Sequence, residues 1–225
     1  MTTIEFFDQA YKTHARYWHH ANRDSTDPRH FGEPWRTLLQ RLEGRMPGRA
    51  LDLGAGEGSD AIRLARLGYE VDALEGSTAG AEKIERFARE ASVRVNVVHA
   101  DAASFEPQKQ YDVIICSGLL HYLDPTQQIR ALATLKAATA SGGLNLVTMF
   151  TDHTPVPDCH RILDVFPDRN EELLANAYGE WAAVKILDRE KLDSSHRDFP
   201  PHRHSFIKIL AERKETLIGT LTSQV

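Results

Sequence analysis

Residues 50–58 read ALDLGAGEG, an apolar run that breaks onto three alternating glycines. The run suits a short buried strand, and the helix-period stretch SDAIRLARLG (59–68) follows without a gap. Gly54, Gly56 and Gly58 therefore mark a tight strand-to-helix turn. Without Cβ atoms the backbone there can approach a ligand closely, and the N–H groups at the helix start can hold it.

The same unit recurs along the chain. YEVDAL (69–74) alternates as a strand, and STAGAEKIERFAREA (77–91) has a helical period. VRVNVVHA (93–100) is a strand, and YDVIICSG (111–118) is the near-continuous apolar run expected of a strand covered on both faces. DPTQQIRALATLKAAT (124–139) is a helix with Pro125 in its first turn, and LNLVTMF (144–150) is a buried strand after Ser141-Gly142-Gly143. This alternation implies an α/β domain built on a mainly parallel sheet with right-handed crossovers. Ahead of it, residues 4–18 set Phe6, Phe7, Ala10, Tyr11, His14 and Trp18 at helical spacing. A polar loop (19–33) follows, then a second helix opened by Pro34 and carrying Trp35, Leu38, Leu39 and Leu42. Beyond the alternating region come a proline-rich loop (151–158), a short helix (172–179) and strands at 181–188 and 204–213. The last two are separated by the polar stretch REKLDSSHRDFPPHR. No linker divides two cores, so the 225 residues read as one domain: a helical cap (1–48), a main body (49–214) and a tail (215–225).

Charge and composition narrow the partners. A formal net charge of −5 gives no broad positive field for a nucleic-acid backbone. No apolar run reaches the roughly 18–20 residues that span a bilayer, and the first residues lack the basic-then-apolar pattern of a secretory leader. Cys116 and Cys159 are too few for a disulfide framework or a four-ligand zinc site. His202 and His204 would share a strand face, but no carboxylate or thiol completes a metal set, so no metal is expected. The expectation is a cytoplasmic protein, monomer or homodimer, that acts on a small molecule away from membranes and nucleic acids.

Acidic residues past the glycine turn suggest the ligand. Glu75 closes the second strand, where a carboxylate can accept both hydrogen bonds of a ribose diol. Asp101 follows the third strand and is placed to meet an adenine amine, with Ala102 offering a backbone N–H. Ser59 and Asp60 stand where a dinucleotide fingerprint would carry its third glycine, and the G-K-[ST] of a phosphate loop is absent. A nucleoside without phosphate remains, and S-adenosylmethionine fits.

ALDLGAGEG, VDALEGS, HADAASF and YDVIICSGLLHYL, in that order, resemble the successive motifs of class I S-adenosylmethionine-dependent methyltransferases. The resemblance implies a Rossmann-like, doubly wound, seven-stranded sheet whose last strand is antiparallel. It implies that Gly54, Ala55 and Gly56 lie by the methionine part, Glu75 by the ribose, Asp101 and Ala102 by the adenine, and Cys116, Ser117 and Gly118 under the sulfonium. Asp52, Asp60 and Gly76 belong to the same expected cofactor site.

The last third, with GGLNLVTMFTD, FPDRNEELLANAYGEWAAVKILD, SSHRDF and FIKILAERK, is similar to the tellurite-resistance type of methyltransferase. That likeness implies an acceptor such as a tellurite or selenite oxyanion or a small soft nucleophile. It carries the family's His-Arg pair and following Arg onto His196, Arg197 and Arg203. Arginine forks suit an oxyanion, and His196 could take a proton. His121, just past the fourth strand, is placed to face the methyl group. Tyr11 and Trp18 could lid the site, and His160 of the inserted PVPDCHRILDV (155–165) could reach its mouth. The alternatives are a methyltransferase of a small biosynthetic metabolite and a non-catalytic S-adenosylmethionine-binding module.

Overall fold

The computed structural model describes residues 1–18, 32–156, 163–193 and 201–214. Its strands are β1 (Arg49–Leu53), β2 (Glu70–Glu75), β3 (Asn96–His99), β4 (Tyr111–Ser117), β5 (Thr139–Phe150), β6 (Ala182–Asp193) and β7 (His202–Glu212). They form one sheet in the order β3-β2-β1-β4-β5-β7-β6. The pairings β3-β2, β2-β1, β1-β4 and β4-β5 are parallel, and β7 runs antiparallel between β5 and β6. The helices are α1 (Thr3–Thr13), α2 (Trp35–Leu42), α3 (Ser59–Arg66), α4 (Thr78–Glu90), α5 (Pro125–Ala138) and α6 (Asn170–Tyr178). Strand order reverses between β1 and β4, so a crevice opens outside their carboxyl ends.

The two-residue period of the strands sorts the helices onto two faces. Leu51, Leu53, Ile114, Cys116, Val147 and Met149 point to the side covered by Leu132 and Leu135 of α5 and Leu174 and Tyr178 of α6. Ala50, Val113, Ile115, Leu144 and Leu146 point to the side covered by Leu38 of α2, Ala61 and Leu64 of α3 and Ile84 of α4. Fully burying a Leu or Ile contributes about 1.5–3 kcal/mol, so these two layers hold the sheet. Within them, Asn145 donates to the Tyr178 hydroxyl (3.1 Å) and accepts from Thr139 Oγ1 (2.9 Å), a satisfied polar link between β5 and α6.

Several boundaries differ from the sequence expectation. The first helix ends at Thr13 rather than running to residue 18, because His14 turns extended and caps it through its backbone N–H. Pro34 sits just before α2 as its N-cap. The Ser141-Gly142-Gly143 stretch lies inside β5, which starts at Thr139 and bends where its register against β4 shifts. Both flanks of the expected polar loop between the last strands, 189–193 and 202–203, are strand, since β6 and β7 stay paired as far as Asp193 and His202. The expected loop at 19–31, His160, His196, Arg197 and the tail from 215 lie outside the described residues.

One carboxylate ties the helical cap to the main body. Asp8 Oδ1 accepts from Ser77 Oγ and Ala79 N at 2.9 Å each, at the start of α4. These bonds and Lys12 hold the Asp8 carboxyl down at about 2. A depressed carboxyl stabilises the fold above its unfolded value of about 3.9 and loses that contribution as pH falls through the folded value. Asp8→Asn should therefore melt below the wild type at pH 7. The gap in melting temperature should close as pH drops from about 4 to about 2. A gap independent of pH would remove the electrostatic account.

Candidate active site

The glycine turn is clasped onto the neighbouring strand tip. Gly54 N and Ala55 N both donate to Leu74 O at 2.9 Å. Gly56 N donates to Glu75 Oε2 (2.7 Å), and Ser77 N to Glu75 Oε1 (2.9 Å). Gly56 has φ 58°, and a Cβ there would stand 3.0 Å from the Tyr11 hydroxyl, so both its backbone angle and its surroundings require glycine. Burial pushes the Glu75 carboxyl up, against the lowering effect of the Ser77, Gly56 and Gly76 N–H groups. Asp52 accepts from Ala61 N (2.9 Å) at the start of α3, and burial beside Asp60 pushes its carboxyl well up. Asp60 pairs with Arg63 at 2.7 Å.

Sequence reasoning missed Glu57, whose position inside the glycine turn was the available signal. Its carboxylate accepts from Tyr17 N (2.9 Å), Trp18 N (2.8 Å) and Lys83 Nζ (2.7 Å). The Glu57 and Lys83 side chains are only 2% and 8% exposed. This pair brings Trp18 over the turn although the helix ends before it, and Trp18 Nε1 donates to Tyr11 Oη at 3.1 Å. Phe7 stacks on Tyr11 with ring centres 5.8 Å apart and lies 6.1 Å from Trp18.

A cleft of about 1010 Å³ opens at the strand tips. From the first tip it is lined by Asp52, Gly54, Ala55, Gly56 and Asp60, and from the second by Glu75 and Gly76. Asp101 and Ala102 line it after β3, and Ser117, Gly118 and His121 after β4. Tyr11 and Trp18 close one side. Asp101 is exposed, its carboxylate accepting from Ala103 N at 2.9 Å. His121 is buried, stacks on Phe150 with ring centres 4.0 Å apart, and its Nδ1 accepts from Phe150 N (3.2 Å). That bond leaves the proton of a neutral ring on Nε2.

Two expectations are corrected. Cys116 does not reach the cleft: it is fully buried in the core beside α5 and α6, and burial pushes its thiol up. Strand alternation turns it to the opposite face from Ser117. Arg203 is not in the cleft wall either. It alternates with His202 and His204 along β7 and is engaged by Glu190 at 3.1 Å, a residue that does line the cleft. Those two histidines do face the cleft, with Phe206 and Lys208 beyond them and Thr148 and Phe150 of β5 alongside. The shared face expected of His202 and His204 continues two residues apart through Phe206 and Lys208 in HRHSFIK. Among the described residues, no group of three or more His, Cys, Asp or Glu could hold a metal ion.

Residues 50–143 match a family model described as a methyltransferase domain. The chain is 28% identical over 179 residues to hemagglutinin 1 of Eikenella corrodens, covering 78% of this chain and 58% of that protein. It is 26% identical over 113 residues to the probable S-adenosyl-L-methionine-dependent methyltransferase TehB of Haemophilus influenzae, covering 49% of this chain and 40% of that one. The crystal structure of that TehB superposes with a TM-score of 0.67 at 21% identity, over 79% of this chain and 62% of the other. The N-methyltransferase NodS of Bradyrhizobium japonicum, in complex with S-adenosyl-L-homocysteine, superposes with a TM-score of 0.65 at 17% identity, over 96% and 100% of the two chains. The fold is thus shared with the crystal structures of TehB and NodS, and residues 50–143 are the part of the chain that matches the methyltransferase-domain model.

The buried pair yields a stability test. Glu57→Ala leaves buried Lys83 with the His14 carbonyl but no counter-ion, and two backbone N–H groups without their acceptor, and should cost about 3–5 kcal/mol in urea unfolding. Glu57→Met combined with Lys83→Met should restore part of that loss. A single-variant cost below about 1 kcal/mol would show that the pair is not what seats the cap.

Proposed function

We propose that this chain transfers a methyl group from S-adenosylmethionine to a small-molecule acceptor. The observation that carries the reading is the convergence of the β1, β2 and β4 tips on one cleft, with Gly56, Glu75 and Gly118 on its wall. The residues fit the cofactor. Gly118 has φ 76° and nothing within 4 Å of where a Cβ would stand, so its backbone borders open space at the crevice. Each Glu75 oxygen accepts a backbone N–H, and a carboxylate retains further lone pairs for a diol.

When bound, the cofactor supplies a sulfonium methyl carbon, which an acceptor lone pair attacks while the C–S bond pair returns to sulfur. The chain's own part is to hold and align the reactants. Glu75 holds the ribose, Asp101 and Ala102 the adenine edge, and the Gly54–Gly56 backbone, with Asp52, Asp60 and Gly76 nearby, the methionine end. Ser117 and Gly118 lie under the sulfonium, while Tyr11, Trp18 and Phe7 exclude water from one side. His121 stands where β4 and β5 end, with Nε2–H as its donor toward the acceptor. The engagement of Arg203 by Glu190 at 3.1 Å weakens an oxyanion clamp and favours an organic acceptor, and His160, His196 and Arg197 are proposed for the mouth.

Calorimetry with S-adenosylhomocysteine tests the reading directly. The wild type should bind it, and Glu75→Ala should weaken binding by about tenfold or more, as expected for lost hydrogen bonds to a charged group. Unchanged affinity would sink the placement of the ribose. In a methyl-transfer screen of tellurite, selenite, thiols, amines and aromatic acids, Arg203→Ala should keep the rate on the best acceptor within about twofold, as for an exposed ion pair. A far larger loss would restore the arginine clamp.

A further inference from the structure

The first strand tips bring Asp52, Asp60, Glu75 and Asp101 to the cleft, with Arg63 paired to Asp60. The cleft's other end is a sheet face from β5, β6 and β7 that carries rings and cations. Residues opposite one another in an antiparallel pair share a face, and Phe150 pairs with Phe206, Phe206 with Arg189, and His204 with Lys191. The rings form a continuous surface: His121 to Phe150 is 4.0 Å between centres, Phe150 to His204 is 5.1 Å, and His204 to Phe206 is 6.0 Å.

Lys208 lies half-buried in this wall, its ammonium 4.9 Å from the centre of the Phe206 ring. Burial, Lys191 and Arg189 all work against its charge, and Asp60 works for it. Glu190, between Arg189 and Lys191, also lines the cleft, and its carboxylate is engaged by Arg203 (3.1 Å) and Thr154 Oγ1 (2.8 Å). A cation gathered with two others in a partly desolvated site is stabilised by an incoming anion. The flat faces beside it favour stacking by a planar ring over a saturated one.

We propose that the acceptor is a planar aromatic acid, with its ring on the Phe150, His204 and Phe206 surface and its anionic group at Lys208, with Arg189 and Lys191 at the rim. This rests on the methyltransferase reading above and gives the acceptor a chemical class.

The test is calorimetric titration of the full chain, first with S-adenosylhomocysteine and then, at saturation, with 2-naphthoate, 2-naphthamide, cyclohexanecarboxylate and tellurite. The naphthoate should bind at least about tenfold tighter than each of the others, since the amide lacks the charge and the cyclohexane acid the flat face. Lys208→Met, and separately Lys208→Gln, should remove most of the preference for naphthoate over naphthamide while leaving S-adenosylhomocysteine affinity within about twofold. Equal binding of naphthoate and naphthamide, tighter binding of tellurite, or binding of no probe would overturn the proposal. With S-adenosylhomocysteine still bound, those results leave the methyltransferase reading standing. Failure to bind S-adenosylhomocysteine would instead overturn that reading, and this inference with it.

Discussion

The clasp between the first two strand tips is the constraint on which the rest of the site depends. Leu74 O accepts from Gly54 N and Ala55 N, and the Glu75 carboxylate then accepts from Gly56 N and Ser77 N. The turn after β1 and the turn before α4 are thus fixed to one side chain and one carbonyl. The start of α3 at Ser59 and Asp60 and the turn at Gly76 before α4 thereby border one crevice. The carboxylate sits in a buried place that disfavours its charge, and the surrounding backbone dipoles compensate. That arrangement is rigid because loss of any one donor leaves a desolvated oxygen behind.

The helical cap is attached to this clasp rather than merely laid over it. Glu57 belongs to the glycine turn yet accepts from Tyr17 N and Trp18 N, and Asp8 of the cap accepts from the start of α4. The aromatic cluster of Phe7, Tyr11 and Trp18 therefore reaches the cleft through two carboxylate links that run in opposite directions, one from the body to the cap and one back. Packing of rings supplies area, but the links supply position.

Much of this was legible in the chain. The alternation from ALDLGAGEG to LNLVTMF, with Glu75 and Asp101 at strand ends, gave the parallel core and the side of the sheet that carries the cleft. Helix caps and glycines are local signals, and local signals survive in a sequence. What failed was non-local. The family resemblance placed Cys116 under the sulfonium, but facing is decided by parity along the strand, and parity sent it to the core. Trp18 reached the cleft by a tether from Glu57, not by helical spacing. The His/Arg stretch near the end read as a loop because polar residues dominate it. A two-stranded ribbon that overhangs a cleft is polar for the same reason, and only the pairing of β6 with β7 tells the two apart.

That overhang separates two tasks within one sheet. From Leu144 to Phe150, β5 is locked between β4 and β7, and its inward side chains are committed to the core. The distal ends of β6 and β7 pair with each other beyond the tip of β5, so their main chains are satisfied without reference to what their side chains do. Positions 191, 202 and 204 lie past the last β5 pairing, so they can change size or charge while the backbone ladder beneath them stays intact. A scaffold divided in this way can keep its donor machinery constant and explore new chemistry at its far wall by substitutions that leave folding untouched.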